Sequence, residues 1–231
     1  MQALILCGGL GTRLREAVPD RPKSMAPIRG KPFLELLIRS LKEKGVTDFI
    51  LATGHMSEQI EAYFDNGKCW DVSVRYSREA QPLGTGGAVK LAESKLADRF
   101  LVMNGDTFVD FDPAALEKKL EETGAPLVLA LREEAHPERY GAVDIDAAGK
   151  VRAFVEKGVK QGRFINVGVY LVRKEALALI AADRAVSLEK EWMPKLMERG
   201  IYGVEMKGLF IDIGIPEDFN RAQDLLHPKP D

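Results

Sequence analysis

The chain is short of the residues on which many enzyme classes depend. Its 231 residues include two cysteines, Cys7 and Cys69, and three histidines, His55, His136 and His227. Two cysteines are too few for a disulfide framework of the kind that holds small secreted domains together. The histidines have no metal-ligand spacing, and no Ser-His-Asp or Cys-His pattern accompanies them. The sequence therefore gives no support to covalent nucleophilic catalysis.

Long apolar runs and a strong net charge are also missing. No segment approaches the roughly 18 continuous apolar residues that span a bilayer. The first residues enter a strand without the basic region and apolar run of a secretion signal. The formal net charge of −2 gives no general attraction to nucleic acid or to an acidic membrane. We therefore expect a cytoplasmic enzyme, with no nucleic-acid or membrane partner, that binds anions only locally. The sequence does not indicate an oligomeric state.

Strand and helix patterns alternate as far as Leu131. The predicted strands are Ala3–Cys7, Phe49–Thr53, Val72–Tyr76, Phe100–Asn104 and Pro126–Leu131, and the predicted helices are Pro32–Lys44, Ser57–Phe64, Gly86–Ser94 and Pro113–Glu122. Ser57 is the expected cap of its helix. This alternation predicts an α/β fold, a Rossmann-like and mostly parallel mixed sheet with helices on both faces.

The alternation of strands and helices ends after Leu131. Strands are predicted at Gly141–Asp146, Val151–Glu156, Phe164–Val172 and Leu209–Ile213, and helices at Lys174–Ala181, Leu188–Arg199 and Glu217–Leu226. Consecutive strands without intervening helices indicate a small antiparallel lobe. We expect one domain, 1–231, in which 1–131 is mainly a nucleotide-binding half and 132–231 supplies the second lobe.

A glycine-rich loop follows the first predicted strand. It contains Leu6, Cys7, Gly8, Gly9, Leu10, Gly11, Thr12, Arg13 and Leu14. Glycines let backbone N–H groups converge on a phosphate, and the planar arginine fork binds two phosphate oxygens. The loop lacks the Walker lysine, and Leu14 stands where the dinucleotide fingerprint needs its third glycine. We therefore predict a nucleotide-phosphate loop that is not that of a dinucleotide oxidoreductase, with Cys7 as a core residue.

Carboxylates accompany two other apolar strands. Asp106 follows Asn104 and Gly105 at a strand end, and Asp212 lies between two isoleucines. Ligands of open α/β sheets bind beyond the carboxyl ends of the strands, and Mg²⁺ uses one or two carboxylates together with phosphates and water. A metal shared by the two aspartates would explain an unpaired buried carboxylate, which is otherwise costly. An Asx turn at Asp106 and a helix cap at Asp212 are the alternatives.

Three further segments are candidates for binding. Lys23 lies in a long loop and suits a phosphate, with a plain surface lysine as the alternative. The segment Leu83–Ala88 holds three glycines and is expected to admit a nucleobase, unless it is only a helix start packed on the sheet. Glu156 and Lys157 lie at a strand end, where they suit sugar hydroxyls and a phosphate, although exposed Glu-Lys pairs are common.

Taken together, these motifs resemble those of the sugar-1-phosphate nucleotidyltransferases over nearly the whole chain. Eight segments follow the family's order: Gly8–Arg13, Pro22–Lys23, Gly30–Pro32, Leu83–Ala88, Asn104–Asp106, Phe154–Lys157, Asn166–Gly168 and Asp212–Gly214. Within the family, Met25–Ile28, Gly30–Glu35 and Phe210–Asp218 look most like the guanylyltransferases that act on D-glycero-α-D-manno-heptose 1-phosphate. Ser24, where this subgroup usually has proline, and Cys7, where alanine is common, are small departures.

The resemblance implies that a sugar 1-phosphate attacks the α-phosphate of a nucleoside triphosphate, with GTP and a heptose 1-phosphate as the expected pair and Mg²⁺ on Asp106 and Asp212. It implies catalytic roles for Arg13, Lys23 and Asp106. The implied nucleotide contacts are Leu6, Gly8, Gly9, Leu10, Gly11, Thr12, Arg13, Lys23, Leu83, Gly84, Thr85, Gly87 and Asn104, and the implied sugar-phosphate contacts are Gly105, Gly141, Glu156, Lys157, Asn166 and Gly168. A uridylyl- or thymidylyltransferase for a hexose or amino-sugar 1-phosphate, and a non-catalytic nucleotide-sugar sensor, are the alternatives.

Overall fold

The computed structural model describes residues 1–9, 14, 18–135, 140–155 and 163–227. The strands are β1 (Gln2–Leu6), β2 (Pro27–Ile28), β3 (Lys31–Pro32), β4 (Asp48–Thr53), β5 (Ser73–Arg78), β6 (Arg99–Asn104), β7 (Thr107–Val109), β8 (Leu127–Glu133), β9 (Ala142–Ile145), β10 (Val151–Val155), β11 (Phe164–Arg173), β12 (Tyr202–Glu205) and β13 (Phe210–Asp212). The α-helices are α1 (Phe33–Glu43), α2 (Ser57–Phe64), α3 (Gly84–Leu91), α4 (Pro113–Thr123), α5 (Met193–Leu196) and α6 (Pro216–Leu225).

A nine-stranded mixed sheet forms the centre of the fold. Its strands follow the order β10-β9-β11-β6-β1-β4-β5, with β8 paired to β11 and β12 paired to β8. The strands β6, β1, β4 and β5 are mutually parallel, whereas β11 is antiparallel to β6, β8 and β9. This arrangement confirms the predicted α/β class, with the parallel strands mainly from the first half of the chain and the antiparallel ones mainly from the second.

Side chains of the central strands contribute to two apolar layers, one on each face of the sheet. Along β1, Ala3 and Ile5 join the layer that contains α1, α2 and α4, and Leu4 joins the layer that contains α3 and the segments 174–199. All three side chains are fully buried. A strand covered by helices on both faces has no polar face, which is why β1 reads as an unbroken apolar run.

A two-stranded antiparallel ribbon lies beside the main sheet. It pairs β7 with β13, so that Thr107 faces Asp212 and Val109 faces Phe210. A third apolar cluster covers this region, and it includes Ile211, Ile213 and Ala222 of α6. The ribbon therefore ties the chain that follows β6 to the chain that precedes α6.

Two of the predicted helices are wrong in type, and one predicted cap is absent. The expected helix at 174–181 is a 3₁₀ helix over Lys174–Leu179, and Ile180 already has extended backbone. The expected helix at 188–199 is a π-helical turn, the four-residue α5 and a 3₁₀ turn. Pro194 explains this interruption, because a proline ring removes one helical hydrogen bond and collides with the preceding turn. Ser57 is the first residue of α2 and not its cap, which is the left-handed Met56.

The other predicted elements are confirmed, with small shifts of their ends. Four strands were missed, the short strands β2, β3 and β7 and the strand β12, which adds a parallel strand to the edge of the sheet beside β8. Within the described part of the chain, no helix has both the length and the apolar character needed to cross a membrane.

Candidate active site

A cleft of about 410 Å³ opens at the carboxyl edge of the parallel strands. Its walls are formed by Leu6, Cys7, Gly8, Gly9, Lys23, Ser24, Glu79, Pro82, Gly84, Thr85, Ala88, Asn104, Gly105, Asp106 and Gly214. The ends of β1 and β6 are level there, since Leu6 pairs with Asn104. Gly8 and Gly9, Lys23, the second glycine segment and the Asn104–Asp106 turn therefore meet in one place. For the first glycines and for Asn104–Asp106, this agrees with their predicted positions at strand ends.

The ammonium group of Lys23 lies between two carboxylates at one end of the cleft. Its Nζ is 2.5 Å from Oδ2 of Asp106 and 3.8 Å from Oδ1 of Asp212. The lysine side chain is 12% exposed, and the aspartate side chains are 35% and 30% exposed. Asp212, expected from the sequence to be an unpaired buried carboxylate, is therefore partly exposed and ion-paired.

The β7–β13 ribbon brings the two carboxylates together. Ile213 N–H donates a hydrogen bond to the backbone carbonyl of Asp106 (3.0 Å), which continues the pairing of Thr107 with Asp212. Oδ1 of Asp212 also accepts the N–H of Gly214 (2.7 Å), and this bond fixes the carboxylate at the end of the strand. Backbone pairing thus sets the separation of the acidic groups before any ligand binds.

Gly105 is required by the packing of the protein itself. Its N–H donates to the carbonyl of Leu6 (2.9 Å), and a Cβ at this position would lie 2.7 Å from that oxygen and 3.0 Å from Sγ of Cys7. A side chain at residue 105 would therefore push β6 away from β1. Cys7 is buried, and burial raises the pKa of its thiol to about 12, so it is a core residue and no nucleophile.

Gly9 differs, because the described protein gives no internal reason for a glycine there. No described atom lies within 4 Å of the point that its Cβ would occupy, and its φ is not in the left-handed region. Gly9 also lines the cleft. A ligand that approaches the backbone closely is a physical reason for a glycine at this wall of the cleft.

We expect Gly9→Ala to fold normally and to bind its nucleotide about tenfold more weakly, because the added methyl group fills space that the phosphates need. Urea unfolding and calorimetric titration with a nucleoside triphosphate measure the two effects. Gly30→Ala, at a glycine outside the cleft whose φ of +83° makes the substitution strained, serves as the control for a loss of stability without a loss of nucleotide affinity. Unchanged nucleotide affinity in the Gly9 variant would contradict a role of this residue in phosphate binding.

The second glycine segment forms the first turn of α3, and only part of it faces the cleft. Gly84 and Thr85 line the cleft, whereas Leu83 and Gly87 do not contribute to its walls. A Cβ at Gly87 would lie 2.9 Å from the carbonyl oxygen of Arg184 and 2.7 Å from Cβ of Leu83. The packing alternative therefore accounts for Gly87, and nucleotide binding by Leu83 and Gly87 stays a prediction.

Glu79 is a cleft residue that the sequence analysis missed. It follows β5, and its Oε2 accepts the N–H of Leu83 (3.0 Å). Its Oε1 would lie 2.5 Å from a Cβ on Gly8 and 2.8 Å from one on Gly54, so this oxygen lies against the backbone of the first glycine loop. A single glutamate after a strand carries no motif, but its place at the carboxyl edge beside two glycine segments was a usable signal.

The predicted sugar-phosphate residues of β11 and β9 lie next to the end of β6. Gly168, with a φ of +74°, packs against the side chain of Asn104. Asn166 precedes it by two residues and receives the Gly168 N–H on its Oδ1 (3.0 Å). Because Ile165 pairs with Ala142, the register places Gly141 opposite Asn166.

Six of the predicted site residues lie outside the described residues. They are Leu10, Gly11, Thr12, Arg13, Glu156 and Lys157. Their roles stay predictions from the sequence.

The acidic pair fits a divalent cation that completes its coordination with substrate. The two carboxylates already converge on one cationic group, the Lys23 ammonium. Within the described part of the chain, no cluster of three or more His, Cys, Asp or Glu residues supplies a full set of protein ligands. Mg²⁺ typically takes only one or two carboxylates and fills its other positions with phosphate oxygens and water.

Comparison with known proteins identifies the family. The family model for nucleotidyl transferases matches residues 2–228. The chain belongs to the nucleotidyl transferase family. It is 40% identical over 219 residues to D-glycero-alpha-D-manno-heptose 1-phosphate guanylyltransferase of Campylobacter jejuni, covering 95% of this chain and 97% of the relative. It is also 40% identical over 228 residues to the protein of the same name from Aneurinibacillus thermoaerophilus, covering 98% of each chain.

A solved structure agrees with these relatives. HddC from Yersinia pseudotuberculosis, crystallised as a complex with GMP-PN, is 36% identical and has a TM-score of 0.84, with 96% of this chain and 98% of that chain covered. The structural match thus extends over essentially the whole molecule.

Proposed function

We propose that this nucleotidyl transferase converts GTP and D-glycero-α-D-manno-heptose 1-phosphate into GDP-heptose and pyrophosphate. The names of the two relatives that are 40% identical over nearly their full length support this choice of substrates. The observation that carries the chemistry is the Lys23 ammonium between Asp106 and Asp212, at the carboxyl edge of the sheet. Charge of both signs is concentrated there, as phosphoryl-type transfer requires.

The reaction needs charge neutralisation and alignment more than proton transfer. A phosphate monoester has its second pKa near 6, so the attacking oxygen of a sugar 1-phosphate is already ionised at neutral pH. No general base is then needed, and none of the described residues that line the cleft is a histidine. Lys23 is placed to bind phosphate oxygens and to stabilise the charge of the departing pyrophosphate.

We assign Asp106 and Asp212 to a Mg²⁺ ion, which would neutralise phosphate charge in the transition state. A cation held there would compete with the Lys23 ammonium for the same carboxylate oxygens, which would leave Lys23 to bind phosphate oxygens. Arg13 is assigned to the triphosphate, and Glu156, Lys157, Asn166 and Gly168 to the sugar phosphate. In this proposal 1–131 is mainly the nucleotide half and 132–231 mainly the sugar half.

The chemistry of Glu79 favours guanine as the base. Guanine presents two adjacent donors, N1–H and the N2 amino group, which one carboxylate accepts together. Uracil and thymine present a single N–H that lies between two carbonyl oxygens. A carboxylate that accepts this N–H is repelled by the oxygens on either side. A carboxylate in the cleft beside Gly8 and Gly84 therefore suits GTP better than UTP or dTTP.

We expect Glu79→Gln to lower kcat/KM for GTP by roughly 10- to 100-fold, because hydrogen bonds to a charged acceptor are about twice as strong as neutral ones. The glutamine oxygen still accepts the Leu83 N–H, so the fold is retained. Steady-state kinetics with GTP and UTP measure the change, and Glu58→Gln, an exposed carboxylate on α2, is the control. An equal loss for both nucleotides would argue against base reading by Glu79.

The substrate assignment is tested with a panel of four nucleoside triphosphates against several sugar 1-phosphates, with pyrophosphate release as the readout. We expect GTP with the heptose 1-phosphate to give the highest kcat/KM. Mannose 1-phosphate belongs in the panel, because a mannose-1-phosphate guanylyltransferase of Mycobacterium tuberculosis is 35% identical to this chain, which covers 63% of that relative. A best pair with UTP or dTTP would replace the guanylyl assignment, and no turnover with any pair would favour a nucleotide-sugar sensor.

A further inference from the structure

A chain of side-chain hydrogen bonds joins the proposed sugar side of the cleft to the proposed nucleotide side. The Tyr170 hydroxyl accepts a bond from Nδ2 of Asn166 (2.9 Å) and donates to Oε1 of Glu189 (3.2 Å). The other oxygen of Glu189, Oε2, accepts bonds from Oγ1 of Thr85 (3.2 Å) and Oγ of Ser187 (3.1 Å). Three hydroxyl groups from three segments therefore end on one carboxylate.

The carboxylate fixes the direction of every bond toward the sugar side. An ionised carboxylate only accepts, so the single proton of Tyr170 must point to Glu189. The Tyr170 oxygen must then accept, and it receives the amide nitrogen of Asn166, while Oδ1 of Asn166 receives the Gly168 N–H. The Asn166 amide thus cannot flip. Tyr170 is 1% exposed, and burial raises its pKa well above the ordinary value, so the hydroxyl keeps its proton.

The same carboxylate fixes Thr85 on the nucleotide side. The Thr85 hydroxyl donates to Glu189 and accepts the N–H of Leu188 (2.8 Å), which sets both its rotamer and the direction of its proton. Thr85 lines the cleft, whereas Glu189, Tyr170 and Asn166 do not; Asn166 lies next to it, because it binds Gly168, which packs against the cleft residue Asn104. Glu189 therefore reaches the cleft only through other side chains.

We propose that Glu189 is a positioning residue that holds Asn166 toward the sugar phosphate and Thr85 toward the nucleotide at the same time. The identity of these two ligands, the sugar phosphate and the nucleotide, rests on the proposed function, whereas the hydrogen-bond chain is independent of it. Replacing the carboxylate with a neutral amide turns one of its two acceptor oxygens into a donor. At least one of the three hydroxyl groups must then reverse its proton, and the order of the chain is lost.

Three variants separate the two ends of the chain. We expect Tyr170→Phe to raise KM for the sugar 1-phosphate about tenfold and to leave the dissociation constant for the triphosphate alone within twofold. We expect Thr85→Val to give the opposite pattern, and Glu189→Gln to change both constants. The double variant Glu189→Gln with Tyr170→Phe should have a sugar KM no higher than that of Glu189→Gln, because both changes break the same link.

Glu191→Gln is the matched control. Glu191 lies on the same helical turn as Glu189. It accepts the N–H of Ser187 (3.0 Å) and pairs with Arg184. It makes no bond to Asn166, Tyr170 or Thr85. We expect it to change neither substrate constant. All kinetics use the best substrate pair of the wild type, so failure of the GTP–heptose assignment leaves this test intact.

Urea unfolding of each variant, calorimetry with the triphosphate and steady-state kinetics together decide the proposal. The positioning role is supported if Tyr170→Phe changes only the sugar KM, Thr85→Val changes only the triphosphate dissociation constant, and Glu189→Gln changes both. A Glu189→Gln variant that loses stability or kcat while both substrate constants stay at the wild-type values would show a structural role only and overturn it. Equal changes of both constants in Tyr170→Phe would overturn it as well.

Discussion

We expect Asp106→Asn to lower kcat by about 10³-fold or more while the protein stays folded. The substitution keeps the shape of the side chain and removes one of two charges that face Lys23. Charge stabilisation by a bound metal is worth several kcal/mol in the transition state, which corresponds to about three orders of magnitude in rate. The side chain is 35% exposed, so its loss costs the fold little. Pyrophosphate release at saturating Mg²⁺ measures the rate.

Asp110→Asn is the control for this experiment. Asp110 lies four residues further along the chain and pairs with Lys44 (2.7 Å) away from Asp106 and Asp212. Its variant should keep wild-type kcat and wild-type urea stability. If Asp106→Asn retained kcat within threefold of wild type, the two-carboxylate metal assignment would be wrong. If it lost kcat together with cooperative unfolding, Asp106→Ala and titration with Mn²⁺ would separate folding from metal binding.

The sequence located the cleft because strand ends can be recognised without a structure. The apolar runs before Gly8 and before Asn104 predict parallel strands, and parallel strands put their carboxyl ends on one edge. The register of Leu6 with Asn104 confirms that reasoning. Lys23 was predicted to bind phosphate because it lies in a long loop. Its contact with Asp106, however, joins residues 83 positions apart in the chain, and no local sequence pattern encodes such a contact.

The parts that were missed have physical reasons. The strand β7 has three residues, too few for a period of two to be recognised, yet its pairing with β13 brings Asp106 and Asp212 together. The strand β12 contains Gly203, which lowers strand propensity, and it is glycine because the Leu131 side chain occupies the space of a Cβ. Pro194 is visible in the sequence. Because proline interrupts the interior of a helix, it would have predicted the break in the helix expected at 188–199.

The glutamates show the limit of reading residues one at a time. Glu79 and Glu189 have no motif of their own, and neither was among the predicted site residues. Glu79 could be placed after a predicted strand, but its contact with Gly8, like those of Glu189 with Thr85 and Tyr170, joins residues distant in the chain. Long-range hydrogen bonds of this kind follow from the folded topology and not from composition or spacing.

We expect Lys23→Met to change two measured quantities in opposite directions. Methionine keeps most of the length of the side chain and removes the ammonium, so kcat should fall by about 10²- to 10³-fold as the charge on the phosphates loses its partner. Affinity for Mn²⁺ without nucleotide should rise, because the ammonium competes for the oxygens of Asp106 and Asp212. A purely structural lysine would give neither the rate loss nor the gain in metal affinity.

Lys44→Met is the matched control, since Lys44 forms its ion pair with Asp110 at the surface. It should leave both kcat and Mn²⁺ affinity unchanged. Lys23→Arg tests geometry separately from charge, because a planar guanidinium cannot take the place of a compact ammonium between two carboxylates. We expect it to recover only part of the rate. A Lys23→Met variant with full activity, or with weaker Mn²⁺ binding than wild type, would exclude an exchange of Lys23 for the metal ion at these carboxylates.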